Sequence, residues 1–253
     1  MSVLEAILIG IIQGLTEFLP VSSSGHIELA EAILKVKPKG DELLFSVIVH
    51  GATALSTIVI FWKDIFGLLK GLFTASWNEE KEMLAKIALS MLPVLAVYFT
   101  YKDELEALFD GKILLVGSML ILTGLLLTLT NFLDKKTDRP VNFWQALVIG
   151  IAQAIAILPG ISRSGSTIAT ALLLGVGREQ AARFSFLMVL VPILGATALK
   201  VKDYLEDPTA AESISAAALG AGFLAAFLTG TLACLWMIRL VKRGKLIYFG
   251  AYC

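Results

Sequence analysis

The stretch Gln13–His26, QGLTEFLPVSSSGH, sets a carboxylate, three serine hydroxyls and an imidazole inside otherwise apolar sequence. Carrying an ionisable group to membrane depth costs at least about 2.5 to 3.5 kcal/mol, so such groups face a cavity or a substrate path. A spanning helix needs about 20 mostly apolar residues. Val3–Leu19 falls short of that, holds Gln13 and Glu17, and runs into Pro20. Ser22–Val36 is shorter again. Two short helices joined by a polar turn read as a re-entrant hairpin, because non-helical backbone survives at depth only under cover of protein or a water-filled cavity.

The rest of the chain supports a membrane reading. Of 253 residues, 57% are hydrophobic, and the mean hydropathy of +0.81 exceeds what a soluble core of this size requires. The opening has no basic region and no small-residue cleavage site, so the first segment is read as retained. The 21 basic and 21 acidic residues balance, which argues against a nucleic-acid partner. Cys234 and Cys253 have no Cys or His at ligand spacing and are read as plain thiols.

After the hairpin come a polar loop, Lys35–Glu42, and a span, Leu43–Trp62, holding His50 and a run of small residues suited to close helix packing. Lys63–Lys81 is amphipathic, with aromatics among lysines, and is expected along the interface. Met83–Tyr101 and Ile113–Leu133 are two further spans. The acidic turn Lys102–Lys112 separates them, and the polar linker Asp134–Asn142 follows.

A shift of 140 residues then lays Ile9–His26 over Ile149–Ser166, with seven identities in eighteen: Ile9, Gly10, Ile11, Gln13, Ser22, Ser24 and Gly25. Phe45-Ser46 and Gly51–Leu55 echo Phe184-Ser185 and Gly195–Leu199. The reading is one membrane domain, 1–253, made of repeat one, 1–137, and repeat two, 141–253. Repeat two comprises a hairpin Phe143–Val176, a span Gln180–Leu199, a polar loop Lys200–Ser213 and a span Ile214–Leu240; its third span is missing or cut short. Three crossings per unit would invert the copies across the membrane, a design that builds a midplane site. The expected fold is therefore an all-α polytopic membrane protein of two inverted-topology repeats, each a re-entrant helical hairpin followed by transmembrane helices. Assigning sides alternately puts seven Lys/Arg on the N-terminal side and thirteen opposite; the richer side is cytoplasmic.

Gln13 and Glu17, four apart, share a helix face. Ser22, Ser23 and Ser24 open the next helix, where backbone NH groups and the helix dipole favour an anion. PGISRSGST, Pro159–Thr167, repeats this with a guanidinium: Arg163 can fork onto a phosphate beside Ser162, Ser164, Ser166 and Thr167. With Glu17, Ser23 and His26 added, the oxyanion site becomes a hydrolytic one. Structural roles compete with these. The serines can be N-caps, Arg163 can be an ion pair to Glu17 joining the repeats, Gln13 and Gln153 can bond helices together, and His50, placed away from the cluster, reads as a satisfied core group.

QGLTEFLPVSSSGH with PGISRSGST resembles the two signature motifs of the bacterial undecaprenyl-diphosphate phosphatase family (BacA/UppP), and the likeness runs to about Tyr252. The resemblance implies hydrolysis of a C55 polyprenyl diphosphate to its monophosphate, recycling the cell-wall carrier lipid, and bacitracin resistance when the protein is abundant. It also implies an outward-facing site in the bacterial inner membrane and a divalent cation, Mg2+ or Ca2+, with Glu17 as its protein ligand. By motif position, Glu17 matches the motif carboxylate, Ser23 the proposed nucleophile, His26 the motif histidine, Arg163 the phosphate-binding arginine, and Ser162 and Thr167 the hydroxyls around it. Gln13 stands where many members carry glutamate. Serine and histidine attack both remain open at this point, as does the alternative of a transporter or flippase moving a lipid phosphate or small anion through the same site. The glycines of Gly117–Gly124 and Gly220–Gly230 suit packing within the chain or in a homo-oligomer.

Overall fold

The computed structural model describes residues 1–26, 29, 42–106, 112–132, 138–206 and 214–253; no strand occurs among them. Helix α1, Val3–Phe18, starts on a capping box in which Ser2 and Glu5 satisfy each other's backbone amides. It ends at Leu19, whose backbone is extended as the residue before Pro20 must be. Its 16 residues reach only about 24 Å, short of the ~30 Å hydrocarbon layer. Helix α6, Phe143–Ile155, repeats this build: a capping box from Asn142 and Gln145, and 13 residues.

Between them lie α2 (Glu42–Ile60), α3 (Trp62–Leu72), α4 (Glu79–Glu106), α5 (Ile113–Leu129) and a 3-10 turn, Thr130–Phe132. After α6 come α7 (Arg163–Leu173), α8 (Arg178–Glu206), α9 (Ala216–Lys242) and the short α10 (Ile247–Tyr252). Among the described residues, four helical stretches are long and apolar enough to cross a membrane: Glu79–Tyr101, Ile113–Phe132, Arg178–Leu199 and Ala216–Lys242. The α2–α3 pair, bent by 77° at Phe61, makes a fifth if read as one broken span. The protein is thus an all-helical, multi-pass membrane protein.

Some element ends differ from the sequence reading. The amphipathic helix stops at Leu72, and Lys81 belongs to α4. It still exposes Trp62 and Phe66, followed by exposed Phe73 and Trp77, as an interfacial segment should. Helices α4 and α8 continue past Tyr101 and Leu199 to Glu106 and Glu206, α4 with a kink at Tyr101. Their polar ends hold no Gly or Pro until Gly111 and Pro208, and a helix need not stop where lipid does. Most of Ser22–Val36 beyond His26, and parts of the polar segments Lys35–Glu42, Lys102–Lys112, Asp134–Asn142 and Lys200–Ser213, lie outside the described residues.

The packing that positions the site is made by small residues. Helix α1 lies on α9, α6 on α4, and α2 on α8. A Cβ on Gly10 would overlap the Gly222 carbonyl, and one on Gly150 the Ser90 carbonyl. Gly124 meets Gly250 in the same way, whereas Gly117 and Gly220 face open space. So Gly124 and Gly222 are spent inside the chain, as the van der Waals logic of helix pairing in lipid expects. Gly150→Ala is expected to destabilise by about 1 to 3 kcal/mol through overpacking against backbone. Gly117→Ala, by contrast, should leave stability unchanged or slightly raised; thermal unfolding of both variants in one detergent checks the sign. Below the site, the buried ring of Phe186 packs on Phe18 at 6.0 Å and on Phe61 at 5.9 Å between centroids, anchoring the end of α1 beside Glu17.

Candidate active site

The two motif turns meet. A Cβ on Gly25 would stand 3.3 Å from Gly160 Cα, and one on Gly165 would stand 3.1 Å from Pro20 Cβ. Glycine at both places lets the backbones close up. Thr123 of α5 braces the second turn: its hydroxyl accepts from the Ser162 amide at 3.2 Å.

The turns are built alike. Ser22 Oγ accepts from the Gly25 amide at 3.3 Å, and Ser162 Oγ from the Gly165 amide at 3.1 Å. Ser22 and Ser24 hydroxyls lie 3.3 Å apart, as do those of Ser162 and Ser164. The amide of His26 reaches the Ser22 carbonyl at 3.1 Å, and that of Ser166 reaches the Ser162 carbonyl at 2.8 Å. Both serines therefore act as N-caps, each opening a helical turn whose first amides have no acceptor within the helix. They differ in one respect. Ser22 sits at φ 68°, a left-handed conformation costing roughly 1 kcal/mol for a residue with a Cβ; the second turn places its left-handed residue at Gly160, φ 92°.

Glu17 is the centre. Its side chain is 4% exposed, and Arg163 Nη2 donates to its Oε1 at 3.1 Å. Ser23 Oγ donates to Oε2 at 2.8 Å and Gln13 Nε2 to the same oxygen at 3.0 Å. A buried carboxylate with this many donors is held ionised in a paired, hydrogen-bonded state. Arg163, the first residue of α7, keeps 30% of its side chain exposed, and one guanidinium nitrogen meets Glu17 while five N–H donors exist in all. The ion pair anticipated as a structural role is present, and the rest of the guanidinium still has donors to offer an oxyanion.

The structure gathers Gln13, Glu17, Ser22, Ser23, Ser24, His26, Ser162, Arg163 and Ser164 around these turns. Not every hydroxyl points outward. Thr167 is fully buried and donates to the Arg163 carbonyl at 3.0 Å, which fixes the turn that carries Arg163. Ser164 is also buried and donates to the Leu19 carbonyl at 3.4 Å, tying one turn to the other.

His26 Nδ1 lies 2.8 Å from the Ser22 carbonyl and Nε2 lies 2.8 Å from Tyr252 Oη. A carbonyl only accepts, so Nδ1 carries the proton and the neutral ring presents Nε2 as its basic nitrogen. Sequence reasoning missed Tyr252, which lies 226 residues away in a segment with no motif to mark it. His50 is a satisfied group, as its sequence position suggests: its Nδ1 lies 2.8 Å from the Ser46 carbonyl one turn back.

A divalent ion has a defined test here. Among the described residues no group of three or more His, Cys, Asp or Glu could hold a metal, so an all-protein cage is absent from them. Gln13, however, is fully buried and its Oε1 has no hydrogen-bond partner, although its Nε2 holds Glu17. One carboxylate beside an unpartnered carbonyl oxygen fits a hard ion that takes its remaining ligands from water and substrate phosphate, as Mg2+ does.

The fold and this cluster define a class: an all-α, multi-pass membrane protein with a Glu–Arg–Ser constellation closed between two capped turns. The chain belongs to the family of the bacitracin resistance protein BacA, whose profile matches residues 6–253. It is 52% identical over 254 residues to an undecaprenyl-diphosphatase of Christiangramia forsetii, covering 100% of this chain and 95% of that protein. It is 47% identical to the undecaprenyl-diphosphatase of Bacteroides thetaiotaomicron, with 100% and 96% covered. A protein of the same name from Methanococcus vannielii is 39% identical, with 99% and 96% covered.

Proposed function

We propose that this protein is an integral membrane phosphatase that hydrolyses undecaprenyl diphosphate to undecaprenyl phosphate and inorganic phosphate, recycling a cell-wall carrier lipid. One observation carries the chemistry: Ser23 Oγ is held 2.8 Å from Glu17 Oε2, while Arg163, bridged to the same carboxylate, comes from the opposite turn. The names of its relatives point to the same reaction and away from simple transport.

Ser23 Oγ attacks the terminal phosphorus in line, and its proton passes to Glu17 Oε2. The bond from that phosphorus to the bridging oxygen breaks, so the lipid monophosphate leaves and a phosphoserine remains. Water then attacks the phosphoserine and gives a proton to His26 Nε2, the bond from phosphorus to Ser23 Oγ breaks, Ser23 Oγ recovers the proton held on Glu17, and inorganic phosphate departs. Arg163 and the amides opening each turn bind the phosphoryl oxygens, where charge accumulates. Glu17 and Gln13 Oε1 would hold a divalent ion, which supplies further neutralisation of phosphate charge.

The likeness of the two turns and the crossed packing of α1 on α9 and α6 on α4 support two repeats, 1–137 and 141–253, exchanging partners. On that reading α1 and α6 are the first arms of re-entrant hairpins that enter from opposite sides, and their tips meet at the midplane. The Lys/Arg asymmetry supports an N-terminus and first hairpin that enter from outside, and the family likeness supports an outward-facing site in the inner membrane.

The test is inorganic phosphate released from a polyprenyl diphosphate by purified protein in detergent, with and without chelator. Hydrolysis gives release where no compartments exist; a transporter gives none. Gln13→Glu, which sets a second carboxylate beside Glu17, is expected to lower the Mg2+ concentration for half-maximal release by about tenfold, on the scale of one added charged ligand. Unchanged Mg2+ dependence in that variant would remove Gln13 from the ion's surroundings.

A further inference from the structure

The basic nitrogen of His26 points at a residue 226 positions away in the sequence. Tyr252 Oη lies 2.8 Å from His26 Nε2, and the two rings stack at 5.7 Å and 9°. The partner is held firmly. Gly250 packs into α5 at Gly124, Phe249 meets Trp236 edge-on at 6.2 Å, and Cys253 Sγ reaches the Pro20 carbonyl at 3.6 Å. Helix α10 is thereby docked on both the α5 wall and the first motif turn, and Tyr252, 65% exposed, covers the outer side of the imidazole.

We propose that Tyr252 is a positioning residue of the phosphate site, acting through His26. The Ser22 carbonyl, the imidazole and the Tyr252 hydroxyl form one chain of hydrogen bonds. With Nδ1–H committed to Ser22, the hydroxyl donates to Nε2 when the ring is neutral and accepts from Nε2–H once the ring has taken a proton, since a phenol does either. The chain therefore holds the ring in one orientation in both states and in one tautomer when neutral, and gives its Nε2 proton a defined partner. Phosphoserine hydrolysis is the step that needs this, because its water must lose a proton and His26 must then shed it. The inference rests on the phosphatase reading.

The test is a double-mutant cycle on phosphate release with Tyr252→Phe, His26→Ala and the pair. Phenylalanine keeps the ring stack and the docking of α10 and removes only the hydroxyl. The expected result is a kcat lowered about fivefold to tenfold by Tyr252→Phe, the scale of one lost hydrogen bond. KM and Tm should be unchanged, and no further loss should appear when Tyr252→Phe is added to His26→Ala. A residue with a merely structural role would lower Tm and add its effect independently of His26. Unchanged kcat, an additive effect, or a raised kcat, which would make Tyr252 a latch over the histidine, each overturns the proposal. The 15N chemical shift of His26 Nε2 in parent and variant reads the same contact without turnover; no change on removing the hydroxyl also overturns it. Failure of the phosphatase reading would appear in the parent as absent phosphate release, whereas failure of the Tyr252 proposal appears only in the variants.

Discussion

Arg163→Ala is expected to lower phosphate release by at least about 10²- to 10³-fold, the scale seen when one charge-stabilising donor is removed from a transition state. It should also lower stability. Glu17 is 4% exposed and Arg163 is its cationic partner across the two turns, and stripping the partner from a buried charge costs about 3 to 5 kcal/mol. The two effects separate in a double variant. With Glu17→Gln the buried charge is gone, so adding Arg163→Ala should cost far less stability than it does alone, a strong non-additivity between contacting residues. Activity should stay lost in all three. Thermal unfolding beside phosphate release checks both. Full activity in a folded Arg163→Ala protein would leave the ion pair as a purely structural clasp.

Ser23→Ala is expected to abolish turnover by at least about 10³-fold, as loss of an activated nucleophile does. It should cost stability by about 1.5 to 3 kcal/mol, the scale of a hydrogen bond to a charged group, less than the loss of Arg163. This contrast with Arg163 is diagnostic: Glu17 keeps its cationic partner in one variant and loses it in the other. Acid-quenched parent incubated with labelled substrate should carry phosphate on Ser23, and the alanine variant should carry none. Label on His26 would establish histidine attack, and label on neither would leave Ser23 positioning water. The geometry favours serine, since Ser23 Oγ donates to a carboxylate while His26 Nε2 is engaged by Tyr252.

Local patterns in the chain carried much of this. Apolar runs near 20 residues announced the spans because hydrocarbon thickness sets helix length, and the short run ending at Pro20 announced a helix of 16 residues that stops there. The Ser-x-Ser-Gly pattern in both turns announced matching caps, because a serine hydroxyl three residues before an amide is a local device. Glu17, Ser23 and Arg163 stood out because polar groups at depth are costly unless used.

The tertiary structure decided what sequence distance hides. Glu17 and Arg163 are 146 residues apart, and only the meeting of two turns, allowed by Gly25 and Gly165, makes them one site. Thr167 looked like a ligand hydroxyl until it was found bonded to its own helix. Tyr252 had no signal at all: a tyrosine near a chain end is ordinary, and its role exists only because Gly250 can sit against Gly124 and bring a phenol to an imidazole. Composition and periodicity encode what a segment does with solvent and with its own backbone. Which segments touch is settled by packing across the whole fold, where a missing Cβ at one contact decides the approach of two helices.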